Sequence, residues 1–220
     1  MNWMDLINEN VRNRYEFHNI DHAVEILYQG YPLLFQEINL ALHDFYITHD
    51  DLMKAGGNES DIPKRLSSIL RPLGWQEVRI SGDLHVHIDE RRAEGGKRHR
   101  SEAILKEYIS GYNIDYVKEH VAMDMEWNSK DQTFDRDLFA FRTFYECGII
   151  SCGVLITRSA SLNPVFESLG PEVKRKYGAS TTWMGKLLPR LQTRRHGGCP
   201  IWVVGITPNT IRNEESLYVE

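Results

Sequence analysis

The stretch from Val121 to Thr157 constrains the fold more than any other part of the chain. Val121, Met123, Met125 and Trp127 alternate with Ala122, Asp124 and Glu126, the period of a strand whose successive side chains point to opposite faces. Asp135 to Glu146 then places Leu138, Phe139, Phe141, Phe144 and Tyr145 at helical spacing and closes on Gly148. Ile149 to Thr157 is an apolar run of the length of a buried strand. Strand, helix, strand in that order predicts a βαβ-like core and hence an α/β fold. Ile114 to Val117 reads as a further extended piece, joined to Val121 by Lys118-Glu119-His120, and Ile201 to Ile206 as the last strand.

The remainder is read from the same periods. Ile20 to Leu42 carries apolar residues at helical spacing with a break near Gly30-Tyr31-Pro32, which predicts two helices. Lys54 to Pro63 is rich in turn residues, Pro63 to Leu73 has a short helical pattern, and Trp75 to Ile80 looks extended. Val86 and Ile88 alternate with His85, His87 and Asp89, as in a half-buried strand. Arg91 to Arg100, with Gly95-Gly96 in its middle, reads as a basic loop. Ser101 is a plausible N-cap for a helix from Ser101 to Ile109, ended by Gly111. Residues 161–198 are basic and irregular or helical. With no repeat or linker, the simplest organisation is one domain over residues 1–220, a helical and strand N-terminal part (1–100) preceding a core (101–208).

Composition excludes several classes. At 41% apolar and 26% charged residues the chain is of ordinary globular make-up. Its longest apolar stretch, near Cys199 to Ile206, is far short of the roughly 18 residues that cross a bilayer. The N-terminus lacks the basic and apolar regions of a secretory signal, so a cytoplasmic protein is expected. Cys147, Cys152 and Cys199 are odd in number and form no Cys-x-x-Cys pair, which favours small buried thiols over a disulfide framework. The net charge is −5, unevenly spread: residues 1–60 hold ten acids and three bases, whereas residues 171–200 hold seven bases and one acid. That second segment, with Lys174, Arg175, Lys176, Lys186, Arg190, Arg194 and Arg195, suits either a phosphate-facing surface or a solvated helix face.

Asp115, Asp124 and Glu126 carry the chemistry. Carboxylates at i and i+2 of a strand share a face about 7 Å apart, and a third on the preceding strand can reach the same point. Such a group repels itself unless a divalent cation is bound, so hard-oxygen ligation of Mg2+ is one use of it. The other is the solvent face of an edge strand.

The run from Tyr112 to Trp127, with Asp115-Tyr116-Val117-Lys118 followed by Val121-Ala122-Met123-Asp124-Met125-Glu126, resembles the catalytic core of type II restriction endonucleases of the BglII and BstYI kind. There an Asp-Phe/Tyr-Val-Lys strand precedes a Val-Ala-apolar-Glu-apolar-Gln strand at the same spacing. The likeness continues in order through Phe134 to Leu138, Gly148 to Thr157, Gly178 to Leu188 and Pro200 to Pro208. The resemblance implies the PD-(D/E)XK core, a central mixed β-sheet flanked by helices. It implies Asp115 and Asp124 as metal ligands and Glu126 at the third active-site position. The BglII kind has Glu then Gln where this chain has Asp124 then Glu126, and the wider superfamily usually has Lys at the third position. Glu126 is then a base or an additional ligand, with Lys130 a candidate cation near the scissile phosphate.

The implied function is Mg2+-dependent hydrolysis of double-stranded DNA at a short sequence by a homodimer, two active sites meeting two strands. Asn128, Ser129 and Lys130 after the acidic strand, Arg158 after the following one, and Lys174, Lys176, Arg190, Arg194 and Arg195 are the candidate DNA contacts. A DNA-binding protein whose altered third residue has cost it catalysis is the alternative on the same core. A metal oxidoreductase built on His85, His87 and Asp89 is a third reading.

Overall fold

The βαβ unit read from Val121 to Thr157 is present, and the sheet is built outward from it. The computed structural model describes residues 2–54, 60–91 and 98–212. In chain order the elements are α1 (Glu9–Arg12), β1 (Tyr15–Ile20), α2 (Ala23–Gly30), α3 (Pro32–Asp44), α4 (His49–Met53), α5 (Asp61–Leu70), β2 (Gln76–Arg91), β3 (Arg98–Lys118), β4 (Val121–Glu126), α6 (Thr133–Glu146), β5 (Cys152–Arg158), α7 (Asn163–Ser168), α8 (Pro171–Lys176), α9 (Met184–Gln192) and β6 (Ile201–Ile206). The hydrogen-bonded order β1-β6-β5-β4-β3-β2 makes a six-stranded mixed sheet flanked by helices. β4, β5 and β6 are parallel, while β1 and β3 run antiparallel to β6 and β4. Residues 1–77 with 114–220 form one compact unit and residues 78–113 a second.

In the larger unit the alternation of each strand decides what it faces. Met123, Met125, Val154, Ile156, Trp202 and Val204 join one continuous core with Leu27, Phe35 and Ile38 of α2 and α3 and Leu66 and Leu70 of α5. Phe35 lies 5.7 Å from Trp202 between ring centres. The opposite face carries Asp124 and Glu126 and is covered by α6 and α9 through two glycines. A Cβ on Gly153 would meet the Phe141 ring at 2.6 Å, and one on Gly205 would meet Met184 Cε at 2.7 Å. Each fully buried side chain of this size stabilises by about 1.5–3 kcal/mol, which holds the two helices on the acidic face. α6 ends where the sequence placed its stop, since Gly148 adopts φ 71° and Ile149 N donates back to Phe144 O.

The sequence reading misses one strand and mistakes another for a helix. Tyr15–Ile20, unassigned from sequence, is edge strand β1. Ser101 to Ile109 is strand and not helix, lying wholly within β3. In the smaller unit it pairs with β2: His87 reaches Glu102 at 3.1 Å, Glu107 N donates to Asp83 Oδ1 at 2.8 Å, and Glu107 takes φ 52°. Ala103 to Glu107 are good helix formers, but propensities worth a few tenths of a kcal/mol per residue yield to cross-strand pairing. The expected half-buried strand of the two histidines is exposed, with His87 and Ile88 open to solvent. Residues 92–97 of the basic loop lie outside the described residues.

Candidate active site

β3 and β4 bring the acids together. Their register pairs Tyr116 with Met123 and Val117 with Ala122. The next antiparallel step sets Asp115 opposite Asp124, with side chains on the same face. β3 is held on its other flank by Lys118, whose ammonium donates to Glu37 Oε1 at 2.6 Å and to Leu73 O at 2.7 Å. The lysine shared with the restriction-enzyme pattern is thus a buttress of the strand that carries Asp115.

Asp115 is exposed, whereas Asp124 and Glu126 are buried. Asp124 Oδ1 accepts from Met125 N, and the Glu126 carbonyl accepts from Thr157 Oγ1 at 2.8 Å, which fixes the end of β4 against β5. Burial pushes the Asp124 carboxyl well above the usual carboxylate range. The charges of Asp137, Asp115 and Glu126, and a hydrogen bond with Asp115, push the same way.

α6 supplies two groups that sequence reading missed. Asp137, in its first turns, is buried beside Glu126, and burial raises its carboxyl to about 8, with the Glu126 charge adding and Arg136 opposing. Arg136 NH2 lies 3.4 Å from Glu126 Oε1 and 2.9 Å from Asp137 Oδ1 while its side chain stays mostly exposed. The cation beside Glu126 is therefore Arg136. Lys130, the sequence candidate, is exposed in the loop beyond β4, where it bridges to Thr181. The signal for Arg136 and Asp137 was an acid-Arg-acid triplet one helix away, which no strand period links to Asp124.

Glu126 Oε2 and Asp137 Oδ2 are buried without a hydrogen-bond partner. Four carboxyls share one guanidinium, so ionising all of them calls for further positive charge; all the donors are hard oxygens, and the residues fit a divalent cation. Among the described residues no three His, Cys, Asp or Glu side chains already converge into a metal cage. That is compatible with Mg2+, which is usually held by one or two carboxylates and completed by water and substrate phosphate.

A family model described as restriction endonuclease BglII/BglIII matches residues 15–206. The chain belongs to this restriction endonuclease family. No curated protein matches it. The match spans the mixed sheet and its flanking helices, so this BglII/BglIII-family protein has the restriction-endonuclease α/β fold expected from its sequence. Membership makes it a restriction enzyme, a site-specific nuclease that acts on DNA. Among the described residues no helix is long and apolar enough to cross a membrane.

The expected DNA contacts of this family member divide sharply. Asn128 and Ser129 are half-buried and Lys130 exposed in the loop after β4; Asn128 Oδ1 has no hydrogen-bond partner, and Ser129 O is taken by Thr182 N. The basic run at 171–200 is largely neutralised in space. Lys174 pairs with Glu167 at 2.8 Å, Lys186 with Asp131, Arg190 with Asp135 at 3.1 Å, Arg194 with Asp21 at 3.3 Å, and Arg195 with Asp135. Arg190 is mostly covered and props α9 on α6, while Lys176 donates to the Leu52 and Lys54 carbonyls. Arg158 is buried at 1% exposure, not presented at the strand end as the sequence suggested. Its neighbours on β5, Val154 and Ile156, belong to the apolar core, and alternation sends Arg158 to the same face.

The competing readings find less support. His85, His87 and Asp89 lie on an exposed strand, where His87 is engaged by Glu102. Cys152 and Cys199 are buried as expected, but Cys147 is exposed at the C-terminal end of α6.

Proposed function

We propose that this restriction enzyme hydrolyses phosphodiester bonds in double-stranded DNA at a short specific sequence, with Mg2+ as its cofactor and as a type II homodimer. The observation that carries the reading is the cluster of carboxyls that β3, β4 and α6 bring together, where Asp124, Glu126 and Asp137 are buried beside one guanidinium, that of Arg136. Asp115 and Asp124 would hold the metal, since they face each other across the antiparallel pair and Asp115 is open to the substrate side. When bound, the ion supplies Lewis acidity to the scissile phosphate and lowers the pKa of a water.

This chain's own groups do the rest. Glu126, at the end of β4 beside Asp124, is the carboxylate that takes the proton of the attacking water. Arg136 holds Glu126 Oε1 and Asp137 Oδ1 and leaves its exposed part to meet the negative phosphate, the duty that a lysine at the third position has elsewhere in the superfamily. Asn128, Ser129 and Lys130, on the loop directly after the acidic strand, face the bases or phosphates next to the cut, and exposed Lys174, Arg194 and Arg195 contact the backbone. A second copy would bring a second site to the other strand, matching a palindromic sequence.

The test is digestion of one sequenced plasmid with and without Mg2+, with the fragment ends mapped. Discrete ends at a repeated sequence, lost on adding chelator, are expected. Binding without any Mg2+-dependent nick would replace this reading by a DNA-binding protein on the same core.

A further inference from the structure

Arg158 presents an unsolved charge problem on the other face of the sheet. It follows Thr157 on β5 and points away from the carboxylates, into the side that holds Phe166 and Tyr177. Its guanidinium carbon lies 5.5 Å from the Phe166 ring centre and 5.3 Å from that of Tyr177. The Thr181 hydroxyl accepts one of its hydrogen bonds, while its Nε is buried without a partner. Among the described residues no carboxylate pairs with it, and burial pushes the group down to about 10, with Tyr177 opposing. A buried cation in that condition costs several kcal/mol unless something compensates it. Aromatic faces return about 0.5–2 kcal/mol each, which leaves the larger part of the cost unmet.

Arg158 lines a pocket of about 190 Å³ together with Asn163, Phe166, Lys174, Tyr177 and Trp183. Phe166 and Tyr177 stack at 4.3 Å with 17° between their planes and form a rigid floor. Trp183 brings a buried indole N–H with no acceptor. Lys174 stands at the rim, held by Glu167, the pocket's one carboxylate. Two cations and one acid leave the pocket net positive, and its unpartnered groups are the donors Arg158 Nε and Trp183 Nε1 and the Tyr177 hydroxyl, which can donate as well as accept. That combination excludes a metal and a neutral apolar guest alike.

We propose that this pocket binds a phosphate-class anion through Arg158, with the Trp183 indole and Lys174 as further donors. The anion completes the pairing that Arg158 lacks. Arg158 is then not a base reader at the strand end but the floor of a separate anion site, on the opposite sheet face from Asp124 and Glu126. The site is independent of cleavage, so it stands or falls whether or not the protein cuts DNA. The same phosphate chemistry is offered by a backbone phosphate of bound DNA and by a free phosphate-bearing ligand.

Inorganic phosphate titrated calorimetrically into the full chain at constant ionic strength, with chloride as the control and no DNA or metal, tests the site. Saturable one-to-one binding and a melting temperature that rises with phosphate are expected. Arg158→Met should weaken that binding about tenfold or more. Lys174→Ala, an exposed position that leaves the core intact, should weaken it about two- to fivefold. Should Arg158→Met fail to fold, the wild-type titration and Lys174→Ala decide the matter. Absence of saturable binding, or variants that bind as the wild type does, overturns the proposal. Duplex DNA added to the phosphate-loaded protein identifies the source: displacement assigns the pocket to a backbone phosphate, and retention assigns it to a free ligand.

Discussion

The two faces at the ends of β4 and β5 pose opposite electrostatic problems. On one, the acids Asp124, Glu126 and Asp137 are buried with Arg136 beside them; on the other, Arg158 is buried and, among the described residues, no carboxylate pairs with it. Thr157, which braces Glu126, and Arg158 are adjacent in the chain, yet alternation delivers them to different surroundings. A sheet can therefore keep unlike unpaired charges a strand's thickness apart without letting them cancel. Each is left to be completed from outside, the first by a cation and the second by an anion.

The largest effect should follow Asp124→Ala. Removing this buried acid of the cation-seeking face should abolish Mg2+-dependent cleavage while leaving duplex binding intact, read from plasmid digestion beside a gel-shift titration. Cleavage at the wild-type rate would take the chemistry away from this face. Glu126→Gln keeps the shape and removes the proton acceptor. It should slow single-turnover cleavage about 10²- to 10⁴-fold with duplex affinity little changed.

Asp137→Asn sharpens the contrast through stability. Burial raises the Asp137 carboxyl to about 8, above its unfolded value of about 3.9, so the folded state holds the proton more tightly. Ionising it therefore costs stability, and that cost sets in as pH rises from about 4 and is fully present above about 8. The amide variant, free of metal, should melt higher than the wild type at pH 8, by about 2–4 °C for each kcal/mol relieved, and the gain should vanish near pH 4. An equal melting temperature at both pH values would mean that Asp137 is not held against its charge.

The smallest effect belongs to the surface. Arg194→Ala with Arg195→Ala should lower affinity for specific and random DNA alike and flatten the plot of log K against log salt by up to about 1.8 units if both reach phosphate. Their present pairing with Asp21 and Asp135 makes a smaller change the expected one, because phosphate must compete with those carboxylates. New cleavage sequences at unchanged affinity would show instead that these arginines read bases.

What was legible in the sequence had a local period. β4 and α6 announce themselves because one face of each is apolar at spacing 2 or 3.6, β5 and β6 because each is an apolar run, and Asp124 and Glu126 ride on the alternation of β4. Ser101 to Ile109 misled because its composition favours a helix while its state is set by a partner strand some twenty residues earlier. Asp137 and Arg136 were hidden because their relation to Glu126 exists only after α6 packs on β4. The basic run misled for a related reason: Asp21, Asp131 and Asp135, which neutralise much of it, come from other parts of the chain.

The register of β4 has a consequence for the making of the enzyme. Slipping this strand by one residue against β5 would turn Asp124 and Glu126 toward Trp202 and the apolar core and push Met123 and Met125 out among the acids. Such a molecule would bury two charges in hydrocarbon and could not persist as a well-packed but silent protein. Correct pairing and competence to act are thus selected in the same folding event, and the population of native-looking, inactive chains is kept small without any separate proofreading.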